Sequence, residues 1–181
     1  MTLAFAHPST PAIIVMGVSG CGKSTLANAL ATRLGRPLIE GDAYHPASNV
    51  AKMAAGQPLT DTDRAPWLAH LNSLLSSQQS VVLSCSALKK AYRAALAAGL
   101  SKPPVFVHAH ASYDSLLARM AQRSAHFMPA SLLRSQFETL EMPTESGLLC
   151  VSVPAEHSTE KQVASVLAYL AQQEPEHLNL L

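Results

Sequence analysis

Apolar residues along the chain fall into two alternating kinds of segment. Short apolar runs typical of buried strands occur at residues 12–16, 37–40, 80–85, 104–109 and 148–153. Between these runs, apolar residues recur at helical spacing in three stripes: Leu26, Leu30 and Leu34; Trp67, Leu68, Leu71, Leu74 and Leu75; and Val163, Val166, Leu167 and Leu170, after a candidate cap at Ser158. Strands that alternate with helices and are apolar on both faces predict an α/β fold, with a five-stranded parallel sheet covered by helices on both faces.

The first apolar run leads directly into the glycine-rich segment GVSGCGKST. This segment matches the P-loop pattern GxxxxGK[ST], and a strand and a helix flank it as the pattern requires. Glycines let successive backbone N–H groups turn inward around a phosphate, Lys23 adds a full charge, and the Ser24 hydroxyl can ligate Mg²⁺. We therefore predict a nucleotide phosphate site in this segment, called the phosphate loop below: Gly17, Val18, Ser19, Gly20, Cys21, Gly22, Lys23, Ser24 and Thr25.

Composition limits the classes of protein to consider. The chain has 181 residues, of which 48% are hydrophobic and 14% charged, and this suits a single folded domain over residues 1–181. Its formal net charge of +1 gives no basic surface for nucleic acid or a membrane, so we expect neither as a partner. The three cysteines lack paired spacing and the first eleven residues lack a signal-peptide pattern, so we expect a cytoplasmic protein without disulfides.

Two connections are longer than the alternating pattern needs. Residues 43–63 carry polar side chains and a short helical pattern, and residues 119–143 insert a basic turn and another helix before the last strand. Ligands of parallel sheets bind beyond the carboxyl ends of the strands, where insertions that follow strands must lie. We interpret the first insertion as a substrate-binding flap and the second as a lid.

Candidate catalytic chemistry follows the second strand, in the segment EGDAYHP. Asp42 should lie on the same rim of the sheet as the phosphate loop. A carboxylate there can accept the proton of an attacking hydroxyl, orient that hydroxyl, or hold a water of the Mg²⁺ shell, whereas a helix cap or a turn is the alternative. His45 is a candidate for substrate contact, with a hydrogen bond inside the loop as the alternative.

Basic residues supply the cations that phosphoryl transfer needs. Arg119 and Arg123 lie four residues apart in the lid, where an arginine can stabilise the transferred phosphoryl group as the site closes. We assign Arg123 to catalysis and Arg119 to the nucleotide, against ordinary helix solvation. Lys89 and Arg93 share a face if their segment is helical and can then bind a carboxylate, against a solvated basic surface. Arg64 is a candidate for substrate oxyanions, against a salt bridge.

The third strand is followed by Ser84, Cys85 and Ser86, at the place where many P-loop proteins have an acid. Mg²⁺ would therefore rely on Ser24, the phosphates, waters and Asp42.

The remaining features favour packing. Cys21 is expected to fill a small space in the loop. His108 and His110 lack a third metal ligand nearby. Packing is also the expected role of one apolar stripe in the lid: Leu133, Phe137 and Leu140.

Five segments taken in order resemble those of the gluconokinase family, over roughly residues 12 to 170. They are GVSGCGKST, EGDAYHP, NVAKMAAGQPLTDTDRAPWL, CSALKKAYR and HFMPASLLRSQFETLE. The resemblance implies a three-layer P-loop kinase fold similar to shikimate and adenylate kinases. It also implies a cytoplasmic homodimer that uses ATP and Mg²⁺ to phosphorylate the 6-hydroxyl of D-gluconate, giving 6-phospho-D-gluconate and ADP.

The resemblance also implies roles for individual residues. It carries phosphate binding onto the loop glycines, Lys23 and Ser24, the acid after the second strand onto Asp42, and the basic lid onto Arg119 and Arg123. Cys21 departs from the serine that is common in such loops. The assignment of Arg64, Lys89 and Arg93 to gluconate is our inference from charge and fold analogy.

Two alternatives stay open at this point. One is another small-molecule P-loop kinase, acting on shikimate or a nucleoside monophosphate. The other is a nucleotide-dependent switch or a nucleic-acid-binding ATPase, against which the near-neutral charge argues. The insertions hold many hydrogen-bond donors but few aromatic residues, which suits a hydroxylated anion better than a stacked base.

Overall fold

A computed structural model describes residues 10–78, 80–121 and 130–173. Its strands are β1 Ile13–Met16, β2 Leu38–Glu40, β3 Val82–Ser84, β4 Val105–His110 and β5 Cys150–Pro154. Its helices are α1 Lys23–Leu34, α2 Ala47–Ala54, α3 Asp61–Ser77, α4 Lys90–Ala97, α5 Tyr113–Ala121, α6 Ala130–Thr139 and α7 Thr159–Gln173, with a 3₁₀ helix at Gly41–Tyr44. Each of the five predicted apolar runs overlaps one strand, and β4 and β5 extend one residue past their runs.

The strands form one parallel sheet in the order β2-β3-β1-β4-β5. The register pairs Ser84 of β3 with Val15 of β1 and with Glu40 of β2, and it pairs Met16 with His108 of β4. Because paired strands run in the same direction, their carboxyl ends lie along one edge. The phosphate loop leaves this edge at its centre, from β1, with the ends of β3 and β4 on either side.

Helices cover both faces of the sheet, as the apolar pattern predicts. On one face, Val15, Val107 and Val153 pack with Leu30 of α1 and Val166 of α7. The other face packs α3 and α4 against the sheet in a cluster that includes Ile14, Ile39, Leu83, Phe106, Trp67, Leu71 and Leu96. The result is a three-layer α/β fold, and the prediction of fold class is confirmed.

The start of α7 agrees with the sequence prediction, and the start of α4 differs from it. The Ser158 hydroxyl accepts the backbone N–H of Lys161 at 3.3 Å, so Ser158 caps α7 as predicted. Lys89, however, is the N-cap residue of α4 and its backbone is extended. It therefore does not share a helical face with Arg93. Within the described ranges, no helix is both long and apolar enough to span a membrane.

The turn after β2 lies against the end of β3. A Cβ on Gly41 would approach the Ser84 backbone oxygen to 2.6 Å, closer than real Cβ contacts. The buried Trp67 of α3 holds the turn from the other side, because its indole N–H donates to the Gly41 carbonyl oxygen at 2.8 Å. Glycine at this position therefore lets the turn that carries Asp42 sit directly on the carboxyl edge.

We expect the substitution Gly41→Ala to destabilise the fold by about 1–3 kcal/mol, because a methyl group must displace backbone atoms of β3. Urea unfolding of the purified variant measures this loss. The control Ala43→Gly alters an exposed position in the same turn and should cost at most about 1 kcal/mol. A Gly41→Ala variant as stable as the parent protein would contradict the close approach.

Candidate active site

The phosphate loop joins β1 to α1 in the strand-loop-helix arrangement that its sequence predicts. Gly17 has a φ of 142°, and a Cβ there would lie 2.5 Å from the Ala109 carbonyl oxygen, so only glycine fits. The N–H of Gly17 donates to the Ser86 carbonyl oxygen at 3.2 Å, which ties the loop to the segment after β3. Val18 and Cys21 are buried in the core and hold the loop from below.

Two polar side chains of the loop have defined partners. The Lys23 ammonium donates to the Val18 carbonyl oxygen at 3.0 Å, a neutral partner that leaves its charge uncancelled. The Ser24 hydroxyl donates to a carboxylate oxygen of Glu40 at 3.0 Å. Hydroxyl and carboxylate oxygens are the ligands that Mg²⁺ prefers, so these two residues form a chemically suitable donor set.

Glu40 is a candidate site residue that the sequence analysis missed. It is the last residue of β2, two positions before Asp42. We assigned the acid near the metal to Asp42, whereas the acid in contact with Ser24 is Glu40. The two-residue spacing of EGD at a strand end was the available signal.

Asp42 is exposed at the carboxyl edge, in the 3₁₀ turn after β2. It does not cap α2, because the N-cap residue of that helix is Pro46. Its negative charge faces two neighbours. Burial lowers the pKa of His45, and the Asp42 charge partly offsets this effect. Burial raises the pKa of Cys85 to about 12, and the Asp42 charge adds to that effect.

His45 packs inside the flap. Its ring stacks on Trp67 with ring centroids 4.1 Å apart, and Asn49 Nδ2 lies 3.4 Å from its Nδ1. Asn49 is itself buried and donates to the Asp63 carbonyl oxygen at 2.9 Å. The residue is half-buried, and these contacts orient its ring.

The first turn of α3 anchors the other end of the flap. Thr60 and Asp63 form a capping box, and Lys52 of α2 pairs with Asp63 at 2.7 Å. The hydrogen bond from Lys52, followed by those from Thr60, lowers the pKa of Asp63 to about 2. Capping therefore explains Asp63.

A charged cluster joins α3 to the start of α4. The Lys89 ammonium lies 2.8 Å from Asp61, which also accepts the Tyr92 hydroxyl. The hydrogen bond from Lys89, followed by that from Tyr92, lowers the pKa of Asp61. The Arg64 guanidinium lies over the Tyr92 ring, 5.5 Å from its centroid, and donates to the Leu59 carbonyl oxygen.

Comparisons with known proteins agree with this geometry. A family model described as "AAA domain" matches residues 13–143. The gluconokinase of Gluconobacter oxydans is 55% identical over 135 residues, covering 72% of this chain and 75% of that protein. The thermosensitive gluconokinase of Escherichia coli is 43% identical over 164 residues, 86% of this chain and 87% of that protein. The chain belongs to the gluconokinase family.

Solved structures support the same assignment. A gluconokinase from Sinorhizobium meliloti matches with a TM-score of 0.83 at 47% identity, covering 90% of this chain and 93% of that one. A shikimate kinase from Acinetobacter baumannii has a TM-score of 0.59 at 16% identity and shares the fold, with 93% of this chain and 97% of that chain covered. As a gluconokinase family member, the chain is a sugar-acid kinase and a phosphotransferase.

Arg93, which we predicted to bind substrate, lies in the interior of this gluconokinase family member. Arg93 is 2% exposed and pairs with Glu145, and it also donates to the carbonyl oxygens of Ala87, Leu88 and Glu141. Burial raises the pKa of Glu145, but a backbone hydrogen bond and the Arg93 guanidinium together hold it below its ordinary value. These contacts favour a structural role for Arg93, and its assignment to substrate stays a prediction.

The lid residues divide between described and undescribed positions. Arg119, in the last turn of α5, donates to the Ala155 carbonyl oxygen at 3.0 Å. Arg123 and His126 lie outside the described residues. Leu133 of α6 is buried in the core, with Phe137 and Leu140 packed against it, so this stripe packs as predicted.

Gln136 of α6 is the second candidate site residue that the sequence analysis missed. Its carboxamide oxygen accepts the Ser19 N–H at 2.7 Å, and its nitrogen donates to the Ser19 hydroxyl at 3.1 Å. A glutamine on a polar helix face gives no signal in the sequence, since only the fold brings residues 117 positions apart into contact.

The remaining candidates have packing environments. Burial raises the pKa of Cys21, which lies in the core with Val18. His108 is buried and His110 exposed, with ring centroids 5.9 Å apart, and no third metal-binding side chain joins them within the described residues. Burial lowers the pKa of His108 to about 4, so this ring is neutral at physiological pH.

We expect Arg93→Met to destabilise the protein by about 3–5 kcal/mol, because Glu145 would keep a buried charge without its cation. Lys89→Met removes a more exposed ion pair and should cost at most about 1 kcal/mol. Chemical unfolding of both variants at neutral pH measures these losses. An Arg93→Met variant of unchanged stability but weakened gluconate binding would show direct substrate contact instead.

Proposed function

We propose that the protein transfers the γ-phosphate of ATP to the 6-hydroxyl of D-gluconate, giving 6-phospho-D-gluconate and ADP. One observation carries the proposal. The phosphate loop, with Lys23 and Ser24, shares one edge of the sheet with the exposed carboxylate of Asp42. An acceptor held above that edge has the donor phosphate on one side and a base on the other.

Asp42 takes the proton of the attacking hydroxyl in this proposal. Its exposure at the edge and its position in the turn held by Gly41 and Trp67 support the assignment. A positioned carboxylate in hydrogen-bond reach of a hydroxyl serves as a general base or as an orienting group.

Ser24 would hold Mg²⁺ through its hydroxyl, with Glu40 and Asp42 facing the water shell of the ion. The contact between Ser24 and Glu40 supports this set, because it already joins a hydroxyl and a carboxylate at the mouth of the loop. When bound, Mg²⁺ neutralises charge on the phosphate oxygens.

The cations of the site hold the phosphates and the developing charge. Backbone N–H groups of the phosphate loop other than those of Gly17 and Ser19, together with the Lys23 ammonium, bind the phosphate chain in this proposal. Arg119 and Arg123 belong to the lid in this proposal, Arg119 on the nucleotide and Arg123 on the transferred group.

We assign gluconate recognition to Asp42, His45, Arg64 and Lys89. The contacts of His45 with Trp67, of Arg64 with Tyr92 and of Lys89 with Asp61 support the assignment. They hold polar groups in fixed positions along the flap and at the starts of α3 and α4. Arg93 enters the proposal as the residue that fixes the segment beneath them.

We also propose that the enzyme works in the cytoplasm as a homodimer, on the basis of its family resemblance.

An acceptor panel tests the reaction. With Mg²⁺ and ATP, we expect coupled ADP release to require gluconate, and phosphorus NMR to place the product phosphate on the terminal primary hydroxyl. Gluconate that lacks the 6-hydroxyl is the matched control and should give no turnover. ADP release with shikimate or a nucleoside monophosphate but not with gluconate would refute the assignment, as would turnover that needs RNA or DNA.

We expect Asp42→Asn to lower kcat by about 10²-fold or more, because the amide cannot accept the hydroxyl proton. Steady-state kinetics with gluconate and ATP measures the effect. Asp114→Asn makes the same change at an exposed position in the first turn of α5 and should leave kcat within about twofold, the range of ordinary surface changes. A near-normal rate for Asp42→Asn would reduce Asp42 to a turn residue.

A further inference from the structure

One peptide group of the phosphate loop is held from both sides. The Ser19 N–H donates to Gln136 Oε1 at 2.7 Å, and the Val18 carbonyl oxygen accepts the Lys23 ammonium at 3.0 Å. The carbonyl of one residue and the N–H of the next belong to the same planar trans peptide and point in opposite directions. Gln136 and Lys23 therefore form hydrogen bonds to opposite sides of a single planar peptide group.

Gln136 is bonded in a way that fixes the direction of its carboxamide. Its Nε2 donates to the Ser19 hydroxyl at 3.1 Å while its Oε1 accepts the Ser19 N–H. Two bonds to one residue make the carboxamide a two-point clamp on Ser19, and the clamp adds no negative charge beside a site for phosphates.

The helix that carries Gln136 is itself anchored. Leu133, one turn earlier, is fully buried in the core that includes Val18. Just beyond the end of α6, the Glu141 N–H donates to the Leu88 carbonyl oxygen at 2.9 Å, and Arg93 donates to the Glu141 carbonyl oxygen at 3.1 Å. Contacts on both sides of Gln136 thus determine where its side chain can reach.

The carbonyl side of this peptide accepts the Lys23 ammonium, which is the charged group of the phosphate loop. An ammonium group has three donors, so Lys23 can keep its bond to Val18 and still direct two donors at phosphate oxygens. A hydrogen bond to the N–H side of a peptide polarises it and makes its carbonyl a stronger acceptor. The bond from Gln136 therefore strengthens the contact that orients Lys23.

We propose that Gln136 is a positioning residue for Lys23, acting through the Val18–Ser19 peptide, and that it raises the affinity of the phosphate loop for ATP. This inference rests on the proposed use of ATP and not on the identity of the acceptor. Without Gln136, the peptide plane can rotate and the ammonium loses its orientation.

The substitution Gln136→Met tests the role, because methionine keeps the side-chain volume and removes both hydrogen bonds. We expect the Kd for ATP, measured by calorimetry without acceptor, to rise about tenfold, the scale of losing two neutral hydrogen bonds. The Kd for gluconate should not change. Gln162→Met is the matched control, since Gln162 is buried in α7 and donates to the Pro154 carbonyl oxygen at 2.8 Å. It should lower stability without changing ATP affinity.

A double-mutant cycle decides whether Gln136 acts through Lys23. In a Lys23→Met background, we expect Gln136→Met to change ATP affinity by less than about twofold, because the ammonium it orients is gone. Equal losses in both backgrounds would overturn the proposal. Because ATP binding is measured without gluconate, a different acceptor would refute the proposed reaction and leave this result standing.

A second readout needs no nucleotide. The NMR signal of the Lys23 side-chain ammonium should shift in Gln136→Met and stay in place in Gln162→Met. An unshifted signal in a folded Gln136→Met protein would overturn the proposal.

Discussion

The active-site edge depends on backbone approaching backbone at distances that only glycine permits. Gly17 faces the Ala109 carbonyl oxygen at the end of β4, and Gly41 faces the Ser84 carbonyl oxygen at the end of β3. These two contacts bring the phosphate loop and the turn with Asp42 onto the same rim. Larger residues at either position would push one loop away from the sheet and separate the phosphate loop from the turn with Asp42.

Three described cations near this rim pair with acids. Lys52 pairs with Asp63, Lys89 with Asp61, and Arg93 with Glu145. The pairs tie α2 to α3, α3 to α4, and α4 to the segment after α6. Lys23 differs, because its partner is the neutral carbonyl of Val18. Its charge is therefore available to an anion that enters the loop.

Local pattern predicted the elements well and the side-chain contacts poorly. Each strand overlaps one predicted apolar run, because a strand buried on both faces must be apolar throughout, although β4 and β5 extend one residue past their runs. The strand-loop-helix context of the phosphate loop was predictable for the same reason. Arg93 was harder to interpret, because charge alone does not tell whether an arginine faces solvent, substrate or a buried acid. The answer depends on Glu145, which lies 52 positions away.

The sequence by itself determined the layered α/β fold, the phosphate loop and the family, since each depends on apolar periodicity or on short segments whose chemistry is local. Only the tertiary structure decided that Glu40 meets Ser24 and that Gln136 clamps Ser19. Both contacts join separate elements across the sheet edge. Their existence depends on strand order and helix placement, and no short stretch of sequence encodes these.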